Sequence, residues 1–205
     1  MKLTTMISLM LEGMGGTCSI FFLTLLFSLP LGMIVALLRM SKNKVVSNLT
    51  RAVISVLRGT PLMLQLIAVT YGPYYLWQLS VSKNKLIPVV IAFSINYAAY
   101  FAEIYRSGIE SIPAGQYEAA EILGYSKVQT FFRIILPQVI KRIMPSVTNE
   151  VVTLVKDTSM AFTVSYMEMF TIGKNLANSQ TSFMPFIVAG VFYFLFNAIV
   201  DFVMG

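Results

Sequence analysis

One short stretch of polar side chains carries the first chemical clue: Asn149, Glu150, Thr153, Lys156 and Asp157, set within an otherwise apolar run from about 140 to 166. On a helix, Asn149, Thr153 and Lys156 fall at i, i+4 and i+7 and share a face, with Glu150 and Asp157 beside it. A charge at membrane depth costs at least a few kcal/mol and turns toward a cavity or a partner. Asn149, Glu150 and Thr153 are therefore candidate contacts for a solute near the midplane. The Glu150 carboxylate suits an ammonium or a cationic side chain. A competing reading has Glu150 paired with Arg58 or another buried cation, locking the bundle. Lys156 and Asp157 are adjacent and do not face each other on a helix. Followed by Thr158 and Ser159, they mark a bend or gate near the outer mouth, or a solvated helix end.

Arg58-Gly59-Thr60-Pro61 places a cation, a flexible residue and a helix breaker together. Pro61 frees a backbone carbonyl one turn earlier, at Leu57, and a kink is expected. Arg58 reads as an anchor, snorkelling or ion-paired. Gln65 and Asn96 either line the path or bond between helices. With no histidine and the single cysteine Cys18, neither Ser-His-Asp catalysis nor a transition-metal site is supported. No catalytic residue and no metal ligand is assigned.

The elements that position these groups follow from composition. Of 205 residues, 57% are hydrophobic and 12% charged, with mean hydropathy +0.75. A soluble domain is about one quarter charged. A helix needs ~20 mostly apolar residues to cross a ~30 Å hydrocarbon core, and only helices or closed barrels satisfy their backbone there. The apolar runs predict a single all-α integral membrane domain, residues 1–205. Its five transmembrane helices fall at about 13–38, 50–78, 86–108, 138–166 and 182–203. The N-terminus does not read as a cleaved signal peptide, because its apolar run is too long. Lys and Arg gather between helices one and two and between three and four, nine of them, against Lys2, Lys83, Lys85 and Lys174 on the other side. The positive side is cytoplasmic, which puts the N-terminus outside and the C-terminus in the cytoplasm. The net charge of +6 needs no nucleic-acid partner.

Between the third and fourth spans, residues 111–137 form the longest polar stretch. Pro113-Ala114-Gly115 is turn chemistry. Gln116 to Leu123 is built of good helix formers, Gly124 is a helix stop, and Ser126-Lys127-Val128-Gln129 is a capping box opening a second helix toward Pro137. A short helix with small residues at Ala119 and Ala120 lets another surface approach closely. Glu118 and Glu121 offer charge to basic side chains. Packing on its own domain is the plainer alternative.

Glu118-Ala119-Ala120, then Gly124, then Ile134-Ile135-Leu136-Pro137 resembles the EAA loop of ABC-importer permeases. Arg58-Gly59-Thr60-Pro61-Leu62 with Gln65 is similar to a signature of the polar amino acid subfamily. So are Glu103 to Ile109, Ser111-Ile112-Pro113 with Gly115-Gln116, Asn149-Glu150 and Lys156 to Ser159, although Met160 stands where leucine is frequent. The resemblance implies a type I importer permease with a cytoplasmic coupling helix, in a bacterial plasma membrane. It implies that Glu118, Ala119, Ala120, Gly124, Leu136 and Pro137 dock a partner. The expected partners are two ATPase subunits, a second permease copy or paralogue, an extracytoplasmic solute-binding protein and an amino acid substrate. ATP and magnesium would sit on the ATPase. The one Gly-Lys pair, Gly173-Lys174, has Glu168 where a phosphate loop needs glycine and Asn175 where it needs Ser or Thr. The alternative function is an ion-coupled transporter or channel using Glu150 and Asp157, although no inverted repeat halves are seen.

Overall fold

The computed structural model describes residues 3–204, which are helical throughout apart from short connections. Lys2, counted among the outer charges, lies outside the described residues. In order come α1 (Leu3–Arg39), α2 (Lys44–Gly59), α3 (Leu62–Trp77), α4 (Leu86–Glu110), α5 (Ala114–Ile122) and the single turn α6 (Lys127–Gln129). A π-helical segment, Thr130–Ile135, runs into α7 (Leu136–Asp157), which tightens into a 3-10 helix, Thr158–Val164. Helices α8 (Met169–Gln180) and α9 (Met184–Met204) complete the chain.

The core is built around α4. Phe93, Tyr97, Phe101 and Tyr105 recur every fourth residue, with 6.3, 6.3 and 6.2 Å between neighbouring ring centroids. That spacing puts them on one helical face. Helix α1 runs along α4 with small buried residues, Thr17, Thr24, Ser28 and Ala36. At Gly32 the helices come so close that a Cβ would lie 2.8 Å from Phe101 Cβ. In lipid, where no hydrophobic force drives helix pairing, such close backbone approach supplies the packing energy.

Among the described residues, α1, α4 and α9 are long and apolar enough to cross a bilayer. The second expected span, 50–78, is not one helix. Helices α2 and α3 meet at an elbow of 105°, centred on Thr60 and Pro61, which is far more than a kink. Helix α1 begins at residue 3, well ahead of the expected 13. The fourth span is divided between α7 and the 3-10 segment, and its charges keep it out of the apolar set. Helix α8 was not expected. Its N-cap is Glu168, wholly buried, which accepts from the backbone N–H groups of Phe170 and Thr171 at 2.6 and 2.7 Å and from Tyr193 Oη at 2.9 Å.

Candidate functional site

A cavity of about 320 Å³ lies between the elbow, α4 and α7, at the small end of the ~300–1,000 Å³ range of ligand pockets. The elbow contributes Thr60, Pro61 and Leu62; α4 contributes Asn96, Tyr97 and Tyr100; α7 contributes Glu150, Thr153 and Asp157, with Met160 just beyond. Glu150, Thr153 and Asp157 stand at i, i+3 and i+7, the inward stripe of α7. The stripe is therefore turned from the expected one. Asn149 is exposed and does not line the cavity, and Lys156 faces a separate aromatic groove with Phe170, Phe183 and Phe186. Asp157 is the last residue of α7, where the winding changes.

Asp157 accepts a hydrogen bond from Tyr97 Oη at 2.7 Å. Glu150 forms no ion pair among the described residues, so the competing reading of a lock with Arg58 or another buried cation finds no such pair. Arg58 instead lies over the Tyr100 ring, 5.0 Å from its centroid, a cation–π arrangement. Gln65 and Asn96 are spent on the elbow: both donate to the Leu57 carbonyl, at 2.8 and 3.1 Å. Tyr97 and Tyr100 are the wall residues that sequence pattern did not single out. Their spacing along α4 is that of core aromatics, so no local signal separates them from filler.

The second surface is the segment after α4. Helix α5 ends at Gly124, whose φ is +76°. Tyr125 N–H donates to the Ala120 carbonyl at 3.0 Å and Gly124 N–H to that of Glu121 at 2.9 Å, the paired bonds of a Schellman ending. The capping box forms as the sequence expects: Gln129 N–H to Ser126 Oγ at 3.3 Å and Ser126 N–H to Gln129 Oε1 at 2.9 Å. Glu118 and Ala119 are exposed, whereas Ala120 is 1% exposed and packs inward, so only one of the two alanines is open to a partner. Ile122, Leu123, Val128 and Phe132 stand outward, an apolar face on a polar segment. Leu136 and Pro137 open α7, and the π-helical turn before them absorbs the hydrogen bond that Pro137 cannot give. Beneath, Gln138 Nε2 donates to Gln116 Oε1 at 3.1 Å and Arg142 donates to Ser111 Oγ at 3.1 Å, bracing the N-terminal end of the segment on α7.

A helical bundle with a polar cavity at its elbow and a braced apolar-faced helix on its basic side is the plan of a membrane permease. The chain belongs to the family described as the binding-protein-dependent transport system inner membrane component, which it matches over residues 28–205. It is 33% identical to the nopaline transport system permease protein NocM of Agrobacterium fabrum, across 94% of this chain and 83% of that one. It is 37% identical to the L-cystine transport system permease protein TcyL of Bacillus subtilis, across 87% and 77%. Among solved structures, an amino acid ABC transporter crystallised with histidines superposes with TM-score 0.88 at 27% identity, over 100% of this chain and 96% of that one. The inward-facing MetNI methionine ABC transporter gives TM-score 0.78 at 18% identity, over 100% and 96%, and shares the fold.

Proposed function

We propose that this chain is the permease of an ATP-driven importer for amino acids, and that its substrates carry two cationic ends, as a basic amino acid or cystine does. The observation that carries the substrate class is the placement of Glu150 and Asp157 on one wall of one cavity. Seven residues separate them, about 10 Å along the helix axis. Thr153 stands between them, and Tyr97 and Tyr100 face them. Two carboxylates at that separation suit two ammonium groups, or an ammonium and a cationic side chain. Relatives named for nopaline and cystine transport support the amino acid class.

The exposed face of α5 receives a partner ATPase that holds the ATP and magnesium. Two such subunits and two permease chains, identical or paralogous, form the working unit. A solute-binding protein delivers substrate from outside. Five spans, counting the α2–α3 elbow as one and α7 with its 3-10 extension as another, cross a bacterial plasma membrane, with the N-terminus outside and the C-terminus in the cytoplasm. Closure of the ATPases pushes α5, and the bundle alternates between outward and inward access.

Uptake by vesicles carrying the assembled transporter tests this reading. Glu150→Gln should sharply lower uptake of labelled basic amino acids or cystine while the ATPase still copurifies. Accumulation by vesicles holding this chain alone, without ATPase or ATP, would contradict it, as would undiminished uptake by the Gln variant.

A further inference from the structure

The elbow between α2 and α3 leaves carbonyls that a continuous helix would satisfy. Pro61 has no N–H, so the Leu57 carbonyl has no i+4 donor. In hydrocarbon each unsatisfied backbone group costs several kcal/mol. Gln65 Nε2 lies 2.8 Å from Leu57 O, 2.9 Å from Thr60 Oγ1 and 3.2 Å from Thr60 O. Asn96 Nδ2 lies 3.1 Å from Leu57 O and 3.0 Å from Gln65 Oε1. One amide from α3 and one from α4 thus close the end of α2. Gln65 is engaged through both its amide nitrogen and its amide oxygen while it does so.

The next residue along α2 is Arg58. Its guanidinium rests on Tyr100. It makes no ion pair with Glu150 among the described residues. Tyr100 and Glu150 line the same cavity. We propose that Gln65, with Asn96, is the positioning residue of the cavity. It clasps the open carbonyls of α2, fixes the elbow, and keeps Arg58 on Tyr100 so that Glu150 is left for the substrate. The Glu150 part rests on the function proposed above; the geometry of the elbow does not.

The test uses the transporter assembled with its ATPase in lipid nanodiscs. A Cys18→Ser background carries spin labels at Asn48 and Tyr75, exposed positions on α2 and α3, with singly labelled controls to remove distances between copies. Gln65→Leu removes the donor, and Gln65→Glu keeps the size while leaving acceptors only. Both should shift or broaden the α2–α3 distance and raise the substrate concentration for half-maximal ATPase stimulation about tenfold, which is about 1.4 kcal/mol. Adding Arg58→Met to Gln65→Leu should restore most of that affinity while the distance stays altered. A merely structural lesion would not be rescued by deleting a second side chain. Unchanged distances in both Gln65 variants would overturn the clasp, and altered distances without rescue would overturn the role given to Arg58. If Glu150→Gln transports normally while the Gln65 variants still change the distances, the substrate reading fails and the clasp stands.

Discussion

Gly124 offers a clean test of whether the end of α5 is a docking device. Its φ of +76° lies in the left-handed region, and a Cβ built there meets nothing within 4 Å. Alanine at 124 therefore brings no clash. Its whole cost is the backbone conformation, about 1–2 kcal/mol for an ordinary L-residue. Asparagine bears that conformation better than alanine. The turn fixes the spacing of Ile122 and Leu123 before it and Val128 after it, all three outward-facing. If a partner ATPase reads that spacing, opening the turn reduces the competent population by a factor of about 5–30. Gly124→Ala should weaken ATPase binding to the nanodisc-embedded permease by that factor, with Gly124→Asn close to the parent. Gly115→Ala, also in open space but with ordinary φ, is the control and should not weaken binding. Titrating ATPase onto immobilised nanodiscs measures all three. Alanine at 124 binding as tightly as glycine, or asparagine binding worse than alanine, refutes the reasoning.

Adjacent glycines in α1 should respond oppositely to one methyl group. Gly15 has nothing within 4 Å and Gly16 would drive a Cβ to 2.5 Å from the Met167 carbonyl. Gly15→Ala should stabilise by about 0.5–1 kcal/mol, whereas Gly16→Ala should destabilise by about 1–3 kcal/mol through overpacking, separating the two thermal midpoints of the purified protein. Tyr97→Phe deletes the donor to Asp157; at about 1–3 kcal/mol for the group left unpaired, the thermal midpoint should fall by about 2–12 °C and substrate half-saturation should change with it. Tryptophan at the exposed Ala119 should reduce ATPase copurification without lowering thermal stability, while tryptophan at the buried Ala120 should lower stability as well. Equal effects at the two positions would mean that α5 presents a different face.

The parts legible in the sequence are those set by local rules. Gly124 as a left-handed stop, the Ser126–Gln129 box and the loose carbonyl at Leu57 each follow from one residue's backbone chemistry and its near neighbours. The elbow's size was not legible, because Pro61 dictates only that a bond is lost. The 105° turn depends on where Gln65 and Asn96 stand to receive the open carbonyls, and those come from different helices. The rotation of the α7 stripe by one position has the same origin: periodicity groups Asn149 with Thr153 and Lys156 as readily as Glu150 with Thr153 and Asp157. Packing chose between them, since Val151, Leu154 and Val155 are buried and turn Glu150, Thr153 and Asp157 toward α4. Helix α8 was hidden because Glu is an uncommon N-cap and the segment's apolar residues merge with those of α9.

The two surfaces are joined by one element. Gln138, which braces α5, and Arg142, which bonds Ser111 at the end of α4, lie in the first turns of α7, and Glu150 and Asp157 lie in its last. From Leu136 to Glu150 is 14 residues, about 21 Å of helix. Under the function proposed above, a push on α5 would reach the cavity wall through the Gln116–Gln138 contact and α7. The opposite wall is the elbow, which is anchored to α4 through Asn96. Moving α7 against that wall changes the distance between its carboxylates and Thr60, Pro61 and Tyr100. It also loads the Tyr97–Asp157 bond, the hydrogen bond across the cavity between α4 and α7. Under the function proposed above, a motion given to α5 would alter the cavity by moving its α7 wall.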